Sequence, residues 1–186
     1  YPPKDETREV VKKIGEGLGL TWSVAVDGKN VWIVGVNGDG YQLDGDSGKQ
    51  LASFKATSPQ PWGATFFDNK LWITDFAEKR TYSLDPQTGR ELFSFANPDQ
   101  ERGAKGLANN GKNLLLMGWT TGLIYEITPS GELVKTIKLS QESGGGLAFD
   151  GEYYWVPCDQ ICKFDSSGKL VSKIYVASEG VWDLEW

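Results

Sequence analysis

The most constraining feature of this 186-residue chain is a unit of about 41 residues that recurs four times. Each unit has an apolar run, a turn that begins with Asp or Asn, a second apolar run, and a later turn that ends in Gly. The first turns begin 41, 42 and 40 residues apart, at Asp27, Asp68, Asn110 and Asp150. A fixed period of this length indicates a repeat architecture in which neighbouring units bury a shared core.

The apolar runs within each unit predict β-strands, because they are short, rich in Val, Ile, Tyr, Phe and Trp, and interrupted by Asp-Gly, Asn-Gly, Pro and Gly. No segment has a helical period long enough for a helix. Four antiparallel strands in a unit of this length are typical of a β-propeller blade. We therefore predict an all-β propeller in one domain, 1–186, with four complete four-stranded blades at residues 20–56, 62–97, 104–139 and 145–176.

The second strand of three units carries a Trp that is expected to face the neighbouring blade. These residues are Trp32, Trp72 and Trp155, and Leu115 stands at the matching place in the third unit. Burying so large a ring stabilises a core, so we expect a packing role for them.

Two stretches resemble known propeller repeats. Pro61-Trp-Gly-Ala-Thr-Phe-Phe-Asp-Asn-Lys-Leu-Trp-Ile-Thr-Asp75 resembles the NHL, YVTN and streptogramin-lyase-like repeats, and Leu84-Asp-Pro-Gln-Thr-Gly89 resembles the Asp-x-x-Thr-Gly turn of quinoprotein-type blades. The resemblance covers nearly the whole chain from about Arg8 and implies the fold. It leaves activity open, since these families bind proteins, RNA, lipids, sugars or small molecules, and only some are enzymes.

The two ends of the chain resemble strands of further blades. Residues 8–15 match the outermost strand of a blade, and residues 180–186 match an innermost strand. These two strands are not neighbours within a blade, so together they cannot complete one. Three interpretations stay open: a fragment of a five-bladed or larger propeller, a ring that closes with four blades, or a propeller completed by self-association with another copy.

Composition excludes several classes of function. The net charge of −6 is spread singly along the chain, which argues against a nucleic-acid partner. No apolar run reaches the length of a membrane span, so membrane insertion is not expected. The chain contains no His, which excludes Ser-His-Asp and Cys-His catalysis and histidine-bound metals. The same absence rules out the histidine-dependent mechanism that the resemblance to streptogramin lyases would imply, whereas a carboxylate mechanism like that of cyclotransferase propellers stays open.

Cys158 and Cys162 flank what should be a tight hairpin. A disulfide between cross-strand positions is sterically possible, while two free thiols or, with further ligands, a metal site are the alternatives. A disulfide would indicate an oxidising compartment, and we accordingly expect an extracellular or periplasmic location.

The repeat register predicts a ligand-binding site at the mouth of the central channel. The residues expected to line it are the following: Trp22, Trp62, Lys105 and Trp182 at the start of the innermost strands, with Asp75 and Trp119 in loops on the same face. A second, acidic set in the connections between blades could bind Ca²⁺: Glu16, Glu101, Glu142 and Glu179. No catalytic constellation is present, so we expect a non-catalytic binding or scaffold propeller with a protein, small-molecule or carbohydrate ligand. The alternatives are a carboxylate- or metal-dependent lyase or transferase at the same mouth, and a structural module.

Overall fold

The computed structural model describes residues 7–8, 18, 20–141 and 145–176, and it is a four-bladed β-propeller. Each blade is a four-stranded antiparallel sheet whose strands follow one another in chain order. The predicted fold is therefore confirmed. The strands are β1 Thr7–Arg8; β2 Thr21–Val26, β3 Asn30–Gly35, β4 Asp39–Asp44 and β5 Gln50–Lys55 in blade 1; β6 Pro61–Phe67, β7 Lys70–Asp75, β8 Arg80–Leu84 and β9 Glu91–Ala96 in blade 2; β10 Ala104–Asn109, β11 Leu114–Gly118, β12 Leu123–Ile127 and β13 Leu133–Lys138 in blade 3; β14 Ala148–Phe149, β15 Tyr154–Pro157, β16 Ile161–Phe164 and β17 Leu170–Val176 in blade 4. A 3₁₀ turn, Val36–Gly38, joins β3 to β4.

In blades 1, 3 and 4 the first turn is held by the Asp or Asn that opens it, whereas the turn of blade 2 passes through Asp68 and Asn69 with positive φ. In blade 1, Asp27 Oδ1 accepts hydrogen bonds from the N–H groups of Lys29 at 2.9 Å and Asn30 at 2.6 Å. In blade 4, Asp150 accepts in the same way, and its Oδ2 also accepts a hydrogen bond from Trp155 Nε1 at 2.7 Å. An Asx turn of this kind reverses the chain without help from other blades, which explains the Asp or Asn at the start of three of the four turns.

The glycine that ends the second turn packs against the preceding blade. Gly89 has φ +72°, and a Cβ atom there would lie 2.6 Å from Phe54 Cδ2 and 2.7 Å from the carbonyl oxygen of Lys55. Positive φ also occurs at the equivalent turn residues Gly48, Gly131 and Gly168. The position thus excludes a side chain both by backbone conformation and by space.

Three of the four second-strand side chains, Trp32, Trp72 and Leu115, pack between blades as predicted. The ring of Trp32 stacks on Phe66 of blade 2 with 5.8 Å between centroids. Trp72 belongs to the apolar cluster shared by blades 2 and 3, and Leu115 to the cluster shared by blades 3 and 4. Trp155 alternates along β15 with residues that face blade 3, so it lies on the opposite face of blade 4 and is only partly buried.

The described blades form three interfaces, between blades 1 and 2, 2 and 3, and 3 and 4. Within residues 20–141 and 145–176, no apolar cluster joins blade 4 to blade 1. β1 pairs in parallel with β17, with Thr7 opposite Tyr175, because the outer edge of a blade offers unpaired backbone groups to an added strand. Arg8, expected in an orphan outer strand, is therefore part of a fifth strand on blade 4. Residues 9–15 and 180–186 lie outside the described residues.

Candidate ligand-binding site at the channel mouth

Three blades present a large side chain at the same point of the innermost strand. In each case the pairing with the second strand shifts by one residue, which is a β-bulge. The residue skipped by the pairing is Trp22 in β2, Trp62 in β6 and Lys105 in β10. A bulge redirects its side chain away from the regular alternation of a strand. The same backbone irregularity therefore aims these three predicted site residues toward one another.

The loops between the second and third strands add two aromatic rings, Phe76 and Trp119. Phe76 N–H donates to the carbonyl oxygen of Gln60 at 3.1 Å, and Trp119 N–H donates to that of Gly103 at 3.2 Å. Each loop is therefore fastened to the segment that leads into the innermost strand of its own blade. We refer to Trp22, Trp62, Phe76, Lys105 and Trp119 as the mouth cluster.

The rings of the mouth cluster surround a lysine ammonium group. Lys105 Nζ lies 3.4 Å from the ring centroid of Trp62, 3.7 Å from that of Trp119 and 4.8 Å from that of Phe76. The rings also contact one another, with centroid separations of 4.8 Å for Trp22–Trp62 and 4.8 Å for Phe76–Trp119. An ammonium group over the faces of two indoles is a cation–π arrangement, which stabilises the charged form by about 0.5–2 kcal/mol per desolvated contact.

Lys105 is 7% exposed, and burial lowers the pKa of its ammonium group. Among residues 20–141 and 145–176, no carboxylate forms an ion pair with it and no oxygen accepts a hydrogen bond from it. The ammonium group of Lys105 therefore contacts aromatic faces, and no carboxylate neutralises its charge within the described part of the chain.

A cavity of about 340 Å³ adjoins the mouth cluster. It is lined by Leu20, Thr21, Trp22 and Trp62, so most of its wall is apolar. Trp62 Nε1 is buried and, in the described structure, has no hydrogen-bond partner. A buried N–H without an acceptor costs about 1–3 kcal/mol, so Trp62 Nε1 is a donor available to an acceptor that reaches it.

Asp75 holds together the backbone segments that carry two residues of the mouth cluster. It is 0% exposed; its Oδ2 accepts from Ser58 Oγ at 2.5 Å and from the N–H of Gln60 at 2.7 Å, and its Oδ1 accepts from the N–H of Glu78 at 2.7 Å. The carboxylate thus ties together the two segments that carry Trp62 and Phe76. The structure directs this carboxylate into the protein, and its predicted contact with a ligand stays a prediction.

The remaining predicted residues have different outcomes. Trp182, Glu16, Glu142 and Glu179 lie outside the described residues. Glu101 is exposed and does not join a group of metal-ligating side chains within the described ranges. In those ranges, Cys158, Asp159 and Cys162 lie close enough to hold a metal, but the two cysteines form a disulfide with 6.0 Å between their Cα atoms. The predicted calcium site therefore remains untested.

The sequence register found Trp22, Trp62, Lys105 and Trp119 but missed what brings them together. The bulges leave only a weak mark in the residue pattern, because a Gly follows the bulged residue in β6 and β10 but Ser23 stands at that place in β2. Leu20 and Thr21, which line the cavity, also carried no signal. Phe76 directly follows the predicted site residue Asp75, and this place in the loop was the signal that it lies on the same face.

Neither a protein-family model nor a curated protein sequence matches the chain. Solved structures do match. Glutaminyl cyclase from Myxococcus xanthus superimposes with a TM-score of 0.69 at 13% identity, over 85% of this chain and 71% of that one. Virginiamycin B lyase from Staphylococcus aureus gives 0.58 at 17% identity, over 85% and 56%. BamB from Moraxella catarrhalis gives 0.53 at 17% identity, over 81% and 51%.

These similarities establish the fold and not the activity, because identities below 20% do not carry function. The chain spans about half of the BamB chain. The predicted resemblance to β-propeller repeat proteins is confirmed. Of the three structures named above, two are enzymes by name, a cyclase and a lyase, and the third is BamB. Within the described residues, no helix is long and apolar enough to cross a membrane.

Proposed function

We propose that this chain is a non-catalytic binding propeller whose ligand site is the mouth cluster and the adjoining cavity. The observation that carries the proposal is the cavity beside Trp62, whose buried N–H has no acceptor within the described structure. Sites for small ligands are concave and mostly apolar, with a few polar groups that fix orientation. The cavity has this character.

The geometry favours a ligand with a flat apolar face and a hydrogen-bond acceptor. Trp22 and Trp62 stand 4.8 Å apart with 36° between their planes, and both line the cavity. Indole faces stack on sugar rings and on aromatic rings, and the indole N–H donates a hydrogen bond. A carbohydrate or an aromatic small molecule fits these requirements.

An extracellular or periplasmic location is part of this proposal. The disulfide between Cys158 and Cys162 supports it, because disulfides persist in oxidising compartments and are rare in the cytosol of mesophiles. The bridge closes a short hairpin between β15 and β16, so it adds a modest stabilisation of about 2 kcal/mol on a loop-entropy basis.

The experiment is a ligand-observed NMR titration with neutral sugars and neutral indoles, repeated on two variants. Trp22→Ala should weaken binding about tenfold or more, because it removes one of the two stacking faces. Leu92→Ala is the control, because it removes an apolar side chain, 44% exposed, from the outer strand of blade 2. Binding that is equally strong in Trp22→Ala and the parent chain would refute the proposed site.

The lyase or transferase alternative requires acidic residues to converge at the mouth. Of the four predicted glutamates, Glu101 is exposed and three lie outside the described residues. A calcium titration followed by tryptophan fluorescence tests this alternative, since metal binding near the mouth cluster would change indole emission.

Self-association is a second candidate function, favoured by one face of blade 1. Ile33 and Tyr41 are partly buried there, whereas Ile73 and Tyr82 at the same positions of blade 2 are buried beneath blade 1. The face that receives a neighbour in blade 2 is thus less covered in blade 1. Light scattering after size-exclusion chromatography tests this candidate, and a monomer at high protein concentration would refute it.

A further inference from the structure

Two donors at the mouth cluster have no acceptor within the described residues. One is Trp62 Nε1, which is buried, and the other is Lys105 Nζ, which contacts three aromatic rings. Donors of hydrogen bonds and a positive charge are satisfied by the same kind of partner, an anionic oxygen. We propose that the ligand of this site is a carboxylic acid, with its carboxylate attached to a ring that has a flat apolar face. This inference rests on the proposed function and specifies the ligand class.

The position of Lys105 places its charge close to a bound ligand. Nζ lies 3.4 Å from the centre of the Trp62 ring, and Lys105 does not line the cavity that Trp62 lines. A ligand in van der Waals contact with the Trp62 ring, about 3.5 Å from it, would sit at most roughly 7 Å from Nζ, which is within the screening length of about 8–10 Å.

The surroundings make this attraction selective. Among residues 20–141 and 145–176, no carboxylate forms an ion pair with the ammonium group. The chain as a whole carries a net charge of −6, which repels anions in general. A preference for an acid over its neutral analogue would therefore report a local site and not a charged surface.

Trp62 Nε1 supplies the directional part of the recognition. Because this N–H is buried in the structure, the ligand must displace part of the cavity wall to reach it. Trp22, which is partly exposed and contacts Trp62, is the side chain placed to move. A carboxylate oxygen that accepts from Nε1 would give this N–H a partner and would orient the ring of the ligand against the indoles that line the cavity.

Two sources of such acids have the same chemistry, a uronic acid and an aromatic acid, and the experiment separates them. Ligand-observed NMR titrations compare methyl glucuronide with methyl glucoside, and indole-3-acetate with indole-3-acetamide. Each pair differs in the charge of one group. We expect the acid of at least one pair to bind about tenfold more tightly than its neutral partner, a difference that the partly screened charge of Lys105 can supply across roughly 7 Å.

Two variants test the role of Lys105 in this preference. Lys105→Met keeps most of the length of the side chain and removes the charge, so the ratio between the affinities for the acid and for its neutral partner should fall to about one, whatever the change in neutral affinity. Lys105→Arg keeps the charge and can stack on the same rings, so it should retain the preference. The folded state of both variants is checked by near-UV circular dichroism of the tryptophans.

The outcomes distinguish this inference from the proposed function. Neutral and acidic ligands that bind equally well would overturn the acid preference and leave the binding site standing. A preference that survives in Lys105→Met would also overturn it, because the charge would then act from elsewhere. Failure of every ligand to bind would overturn both. A preference in the sugar pair alone identifies a uronic acid, and one in the indole pair alone identifies an aromatic acid.

Discussion

Replacing Asp75 by Asn should destabilise the chain, because its buried carboxylate accepts three hydrogen bonds and an amide can accept them from one side only. Oδ2 accepts from Ser58 Oγ and the N–H of Gln60, and Oδ1 accepts from the N–H of Glu78. In Asp75→Asn one of these oxygens becomes an NH₂ group. Whichever way the amide is turned, at least one backbone N–H then faces a donor.

The expected cost follows from these contacts. A buried N–H that loses its acceptor costs about 1–3 kcal/mol, and the remaining bonds lose their charge assistance, which roughly halves their strength. We therefore expect a decrease of about 3 kcal/mol in the free energy of unfolding. For a chain of this size, that corresponds to a fall of roughly 6–12 °C in the melting temperature.

The measurement is urea unfolding followed by tryptophan fluorescence, with Asp39→Asn as the matched control. Asp39 pairs with Lys55 at 2.8 Å, but its side chain is 53% exposed, so its loss should cost less than about 1 kcal/mol. If Asp75→Asn were no more destabilising than Asp39→Asn, the anchoring of the Trp62 and Phe76 segments by Asp75 would be refuted. A normal m-value in both variants is required for the comparison, since it shows that the same surface is exposed on unfolding.

Two further predictions concern the turns and the lysine. Gly89→Ala should lower the free energy of unfolding by about 2–4 kcal/mol, because it adds steric overlap with Phe54 and Lys55 to the strain of positive φ. Gly111→Ala is the control, since Gly111 has φ +77° but open space around it, and it should lower the free energy of unfolding by about 1–2 kcal/mol in the same urea assay. Equal losses in the two variants would refute the close packing of Gly89. Burial lowers the pKa of Lys105, so the unfolded chain binds more protons than the folded one between that lowered pKa and the ordinary value of about 10.4. The free energy of unfolding should therefore rise with pH across this window in the parent chain relative to Lys105→Met, and a difference independent of pH would contradict the shift.

The fold could be predicted from the sequence because residues within each turn of the repeat determine the shape of that turn. Asp27 and Asp150 make their turns with hydrogen bonds to residues two and three positions ahead, and Gly89 fixes its turn through φ. Such signals are independent of distant parts of the chain. The register of Trp32 and Trp72 on their strands then determines which face meets the next blade.

The geometry of the site could be predicted only in part. Register alone placed Trp22, Trp62 and Lys105 at one level of the channel, and the structure places them at equivalent bulges of β2, β6 and β10, while their role in binding stays a prediction. It could not show that Lys105 Nζ lies between the rings of Trp62 and Trp119, since that contact depends on the bulges and on loop conformations. The sequence also could not show that the carboxylate of Asp75 is buried and accepts three hydrogen bonds, and its predicted contact with a ligand stays a prediction.

The contact between Trp62 and Lys105 depends on the residue that follows the bulge in blade 2. A Cβ atom on Gly63 would lie 2.7 Å from the carbonyl oxygen of Lys105 and 2.7 Å from the N–H nitrogen of Leu107. The backbones of β6 and β10 can therefore approach this closely only because Gly63 has no side chain. That approach sets the distance between the two bulges, and hence places the ammonium group of Lys105 over the indole of Trp62. Gly63 is thus needed both for the packing of blade 2 against blade 3 and for the position of Lys105 over Trp62, which explains why the site arises between blades and not within one.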